Sequence, residues 1–105
     1  MAQEEVFVEI EGFPNYVVSN YGRVVNTKFD RDLNPIVDKR NGTQKIRLYK
    51  MGVYQDLILR RIVAKAFFVN YDDEREVILL NGDEGDCSVT NITMGIHVRG
   101  NLRRE

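Results

Sequence analysis

Tryptophan is absent from these 105 residues, and cysteine and histidine occur once each, at Cys87 and His97. One cysteine cannot close an intramolecular disulfide, so no cross-linked scaffold is expected, and the chain suits a reducing cytoplasm. That thiol sits among Asp83, Glu84 and Asp86, whose charge opposes ionisation, so a reactive nucleophile is not expected. A lone histidine near the C-terminus reads as a solvated or helix-end group rather than a base. Two prolines and eight glycines give no sign of low complexity. No apolar run approaches the ~20 residues of a membrane span, so no membrane association is expected. The acidic start, Glu4-Glu5, does not resemble a signal peptide. A net charge of −1 argues against indiscriminate binding to nucleic acid.

What is present is more instructive in its distribution than in its sum. With 43% hydrophobic and 30% charged residues, a modest core is possible, as in other small domains. From Lys39 to Lys65 lie Lys39, Arg40, Lys45, Arg47, Lys50, Arg60, Arg61 and Lys65, against the single acid Asp56. From Asp72 to Asp86 lie Asp72, Asp73, Glu74, Glu76, Asp83, Glu84 and Asp86, against Arg75. A basic half meets phosphates locally even when the total is neutral. The competing reading is an ordinary solvated surface of mixed sign.

The first third alternates in the period of half-buried strands. Phe7 to Phe13 forms one run, Pro14-Asn15 is expected to break it, and Tyr16 to Ser19 resumes. Asn20-Tyr21-Gly22 reads as a turn, Arg23 to Asn26 as the return, with Tyr16, Val18 and Val24 on one face. Residues 27–43 are polar and turn-rich, expected as a connection. Lys45 to Lys50 alternates cleanly, placing Ile46 and Leu48 inward and Lys45, Arg47 and Tyr49 outward. Met51-Gly52 is the expected hairpin tip, and Val53 to Leu59 leads back into a helix. Apolar spacing at Leu59, Ile62, Val63, Ala66 and Phe67 predicts that short amphipathic helix. Val77 to Leu80 and Ile92 to Met94 read as two strands around an Asn-Gly-Asp loop.

Two blocks of residues resemble a known family. Ile10-Glu11-Gly12-Phe13-Pro14-Asn15-Tyr16-Val17-Val18-Ser19-Asn20-Tyr21-Gly22-Arg23-Val24 is similar to the signature of the NUMOD4 module of phage-type HNH homing endonucleases, with Phe7 where a tryptophan is usual. Arg61-Ile62-Val63-Ala64 with Phe67, then Val77, Gly82 and Val89-Thr90-Asn91-Ile92, resembles the HNH unit that follows it. The resemblance spans about residues 6–101, and its HNH part aligns without gaps. It implies an α+β fold: a small N-terminal antiparallel β-sheet (1–56) followed by a degenerate ββα-metal unit (57–105), forming one compact domain. The residues 97–105 would be the short final helix. The family usually carries a longer DNA-binding region beyond this point, so recognition of a long site is not expected here.

The frame is matched where the catalytic groups are not. The first histidine of the motif falls on Arg60, the metal-and-base pair on Ile78 and Leu79, the loop aspartate on Asn81, and the downstream metal ligand on about Gly100. HNH cleavage needs a neutral imidazole to deprotonate water and a divalent metal to stabilise the leaving oxygen. No catalytic residue, metal site or cofactor is therefore expected. Clustered acids do bind hard cations, but Asp83, Glu84 and Asp86 lack calcium-loop spacing and a paired imidazole. The resulting expectation is a non-catalytic binding protein. DNA would be met by Arg40, Lys45, Arg47, Tyr49, Lys50, Arg60, Arg61 and Lys65. The alternative is an inhibitor or adaptor that meets a host or phage protein through Leu79 in the former active site and the rim Asp72, Asp73, Glu74, Asp83 and Glu84. No heptad seam suggests an oligomer.

Overall fold

The computed structural model describes residues 4–97, which form three antiparallel sheets around one short helix. Strands β1 (Phe7–Ile10), β2 (Phe13–Ser19), β3 (Val24–Asn26) and β4 (Arg31–Leu33) form the first sheet in that order. Strands β5 (Ile36–Val37), β6 (Gln44–Lys50) and β7 (Val53–Ile58) form the second. Helix α1 (Leu59–Phe67) follows β7 directly, and β8 (Arg75–Leu79) pairs with β9 (Ile92–His97) in the third. The architecture is α+β, as expected. No helix among the described residues is long and apolar enough to cross a membrane.

The alternating pattern sets the strand faces. Tyr16 lies opposite Asn26 and Val18 opposite Val24, and Tyr16, Val18 and Val24 are buried together. In β6, Ile46 and Leu48 are buried while Tyr49 and Lys50 are exposed. Six consecutive pairs, from Lys45 with Ile58 to Lys50 with Val53, hold β6 to β7. Met51 and Gly52 close that hairpin with positive φ at both positions, +54° and +81°. This is the backbone of the two-residue turn whose twist suits paired strands, and Gly52 adopts it without a steric cost.

Three expectations require correction. The break placed at Pro14-Asn15 occurs at Glu11-Gly12 instead, and Pro14 lies inside β2. The register jumps from Glu9 opposite Val17 to Ile10 opposite Phe13, so Pro14 sits in an irregularity where no β1 partner needs its missing N–H. The polar stretch 27–43 contains β4 and β5. Only Leu33 of β4 turns inward, so three residues cannot show a period of two. His97 ends β9 rather than starting a helix, and residues 98–105 lie outside the described residues.

Helix α1 buries Leu59, Ile62, Val63 and Ala64. One core runs from Ile10, Val18 and Val24 through Ile46, Leu48 and Val63 to Val77 and Ile92. The division anticipated between residues 56 and 57 falls within β7, and side chains from both sides share this core. Leu48 is 0% exposed, so Leu48→Ala is expected to lower unfolding free energy by about 2–5 kcal/mol. Lys45→Ala, three residues back on the opposite face, should change it by under ~0.5 kcal/mol. Urea unfolding of the two variants checks the assigned facing of β6.

Candidate nucleic-acid interface

The β6–β7 hairpin shows solvent a row of basic and aromatic side chains. Arg47 donates from Nε to Asp56 Oδ1 at 2.8 Å and from Nη2 to Oδ2 at 3.0 Å. Its guanidinium carbon lies 4.0 Å from the centre of the Tyr54 ring. The Asp56 hydrogen bonds raise its already high pKa and fix the plane of its guanidinium. Tyr49 meets Tyr54 edge to face with ring centres 5.9 Å apart. Among the described residues no carboxylate lies within ion-pair distance of Lys39, Lys45 or Lys50. Arg40 is paired with Asp38 at 3.0 Å, and its hydrogen bonds hold the Asp38 carboxyl down at about 2.

The helical arginines are placed differently. Arg60 donates from Nε to the Val77 carbonyl at 2.8 Å and from Nη1 to Glu84 at 3.2 Å. Arg61 donates from Nη2 to the Arg75 carbonyl at 2.7 Å and from Nη1 to the Tyr71 hydroxyl at 2.8 Å. Lys65 faces Glu11 at 3.7 Å. Arg60 and Arg61, expected on the phosphate-binding face, instead tie α1 to β8 and the residues around it. A cleft of about 450 Å³ between β1, β7 and α1 includes Arg61 and Lys65 against Glu9, Glu11 and Asp73, a set with no preference for an anion.

Two buried asparagines join the parts of the chain. Asn20 Oδ1 accepts from the Val6 N–H at 2.8 Å, Nδ2 donates to the Glu4 carbonyl at 3.1 Å, and its own carbonyl accepts from Val89 N–H at 2.8 Å. The adjoining Gly22 has φ +87°, and a Cβ there would lie 3.3 Å from the Cys87 carbonyl oxygen. Asn91 Nδ2 donates to Asn81 Oδ1 and to the Asp86 carbonyl, both at 2.9 Å, while Oδ1 accepts the Asn81 N–H at 3.2 Å. Sequence reasoning took Asn20 for a turn residue alone and assigned Asn91 no task. Both stand in the spacings that carried the resemblance, which was the available signal.

Comparison with known proteins agrees with this architecture. Residues 5–49 match the family model described as the NUMOD4 motif. An uncharacterised HNH endonuclease of Acanthamoeba polyphaga mimivirus is 33% identical over 88 residues, 81% of this chain and 22% of that protein. The structure of the HNH homing endonuclease I-HmuI, solved for DNA binding and cleavage, superposes with a TM-score of 0.79 at 28% identity. That match covers 85% of this chain and 51% of the solved one. In sequence and in fold the chain is similar to HNH homing endonucleases. It spans about half of the solved relative and about a fifth of the viral one.

Ile78 and Leu79, which the resemblance aligns with the metal-and-base pair, lie on β8. Ile78 is 42% exposed and folds over Gly95, its Cδ1 lying 2.7 Å from where a Cβ would stand. Val77 is buried while Leu80 is 62% exposed, so the expected continuous apolar run is divided between core and solvent. Among the described residues no three His, Cys, Asp or Glu side chains gather to hold a metal ion. The position of the downstream ligand, Gly100, lies outside the described residues. The loop acids are occupied locally. Asp83 Oδ1 accepts from Gly85 N–H at 2.9 Å, Asp86 Oδ1 accepts from the Ser88 hydroxyl at 2.7 Å, and Glu84 faces Arg60.

Burial pushes the Cys87 thiol up to about 11; Arg60 opposes this, and Glu84, Asp86 and Asp83 add to it. The acidic loop was expected to be the cause, but burial is the larger one. A thiol whose folded pKa is raised favours the folded state below the unfolded pKa, near 9, and loses that advantage as pH rises toward 11. Stability should therefore fall between pH 9 and 11 more steeply in the wild type than in Cys87→Ala. Urea midpoints across that range give the comparison, and equal slopes would contradict the assignment.

Proposed function

We propose that this chain binds duplex DNA through the outward face of the β6–β7 hairpin and does not cleave it. The observation that carries this reading is an HNH-like frame with Ile78 and Leu79 at the metal-and-base positions, beside a ribbon bearing Lys45, Arg47, Tyr49 and Lys50. Neither Ile78 nor Leu79 can accept a proton or ligate a cation, which removes both requirements of metal-assisted hydrolysis. The ribbon keeps the groups that phosphates need, with Lys39 and Arg40 at its approach. The NUMOD4 match and the DNA-binding, DNA-cleaving relative I-HmuI support contact with DNA. Loss of cutting with retention of binding would make the chain an accessory or repressor-like factor.

A protein partner at the former active site finds less support. Its exposed apolar groups reduce to Ile78 and Leu80, and the rim residues Asp83 and Glu84 are engaged by their own loop and by Arg60.

Mobility shift and cleavage on the same duplex, with magnesium or manganese, test the reading together. A retarded band with uncut DNA is expected, with affinity falling log-linearly in salt at a slope of ~0.9 per phosphate contacted. Metal-dependent cleavage that persists on repurification would overturn it. Two variants at basic residues separate surface from scaffold. Lys45→Glu should weaken binding about tenfold or more with little change in unfolding. Arg61→Ala should instead lower stability by ~1–3 kcal/mol, because the Arg75 carbonyl and Tyr71 hydroxyl lose their donor.

A further inference from the structure

Beside the basic ribbon lies a recess of about 360 Å³ at the seam between the first and second sheets. Tyr16, Asn26, Phe29, Arg31, Arg47 and Tyr49 line it. Three aromatic rings, two guanidinium groups and an amide thus converge on a volume near the lower end of the ~300–1,000 Å³ typical of small-molecule sites. Phe29 is the unusual member. It is 67% exposed, yet its turn is built rather than loose. Asn26 Oδ1 accepts from the backbone N–H of Lys28 at 2.9 Å and of Phe29 at 3.2 Å, and Asp30 takes φ +53°. Lys28 Nζ stands 5.6 Å from the Phe29 ring centre.

On the opposite wall Arg47 is held flat by Asp56 and by the Tyr54 ring, so its plane is set before any ligand arrives. Tyr16 is buried and its hydroxyl accepts the Tyr49 N–H at 3.2 Å, which fixes the floor relative to β6. Rings and guanidinium planes offer stacking surfaces, and the surrounding Lys28, Arg31 and Arg47 supply positive charge. That combination suits a planar, electron-rich heterocycle carried on a phosphate chain. A fully stacked base pair in a duplex has no free face to present to such a recess.

We propose that this recess takes one unpaired nucleobase of DNA, so that the chain prefers a duplex interrupted by an extrahelical base over a continuous one. This rests on the DNA-binding reading above but adds a ligand to it. The test is anisotropy of labelled duplexes of equal length: fully paired, with a single-base bulge, and with the same bulge lacking its base. Base-to-aromatic stacking predicts that the base bulge binds about tenfold tighter than the abasic bulge. Phe29→Ala should abolish that difference while leaving affinity for the paired duplex unchanged, and Phe29→Trp should restore it. Equal affinities for the base and abasic bulges would overturn the recess while leaving duplex binding intact. Failure to bind any of the three would overturn the DNA reading and the recess with it.

Discussion

A nine-residue helix has too few internal hydrogen bonds to persist alone in water, so α1 depends on what closes around it. Leu59, Ile62, Val63 and Ala64 give it a buried stripe, and β1, β2, β6, β7, β8 and β9 all lie against it. The dependence is mutual. The two-stranded sheet β8–β9 would be marginal as an isolated hairpin, and its inner residues Val77 and Ile92 find their cover in the same core. Arg60 and Arg61 reinforce that junction by donating to the Val77 and Arg75 carbonyls. Removing the helix would leave three small sheets with little to hold them in one arrangement.

That dependence bears on function. The HNH-like unit has a structural task of its own, because its hairpin completes the packing of α1. Arg60 stands at the motif's first histidine and bridges the Val77 carbonyl to Glu84. Asn91 keeps the loop between β8 and β9 closed. The frame is thereby accounted for by packing and hydrogen bonds. On the outward face of β6 no carboxylate among the described residues pairs with Lys45, which leaves its charge available to a polyanion.

Much of this was legible in the sequence, for definable reasons. Strict alternation placed Ile46 and Leu48 inside, and Met51-Gly52 announced the hairpin tip. The spacing of Leu59, Ile62 and Val63 marked the helix. Strands β4 and β5 were not legible, because they have three and two residues and are set by pairing with β3 and β6. Nor could charge counting separate Lys45 from Arg61. Both are basic in a basic segment, and only the three-dimensional positions of Tyr71 and the Arg75 carbonyl show that Arg61 is engaged within the protein. The recess beside Phe29 is similarly tertiary, combining residues from β2, the β3–β4 turn and β6.

The most direct test of the central claim is to titrate isotope-labelled protein with a short DNA duplex and follow backbone amide shifts by NMR. Changes concentrated on β6 and β7, with β8 and the loop at residues 80–88 little affected, are the expected result. Changes centred instead on Ile78, Leu79 and that loop would contradict it, placing DNA on β8 and its loop and reopening the question of cleavage.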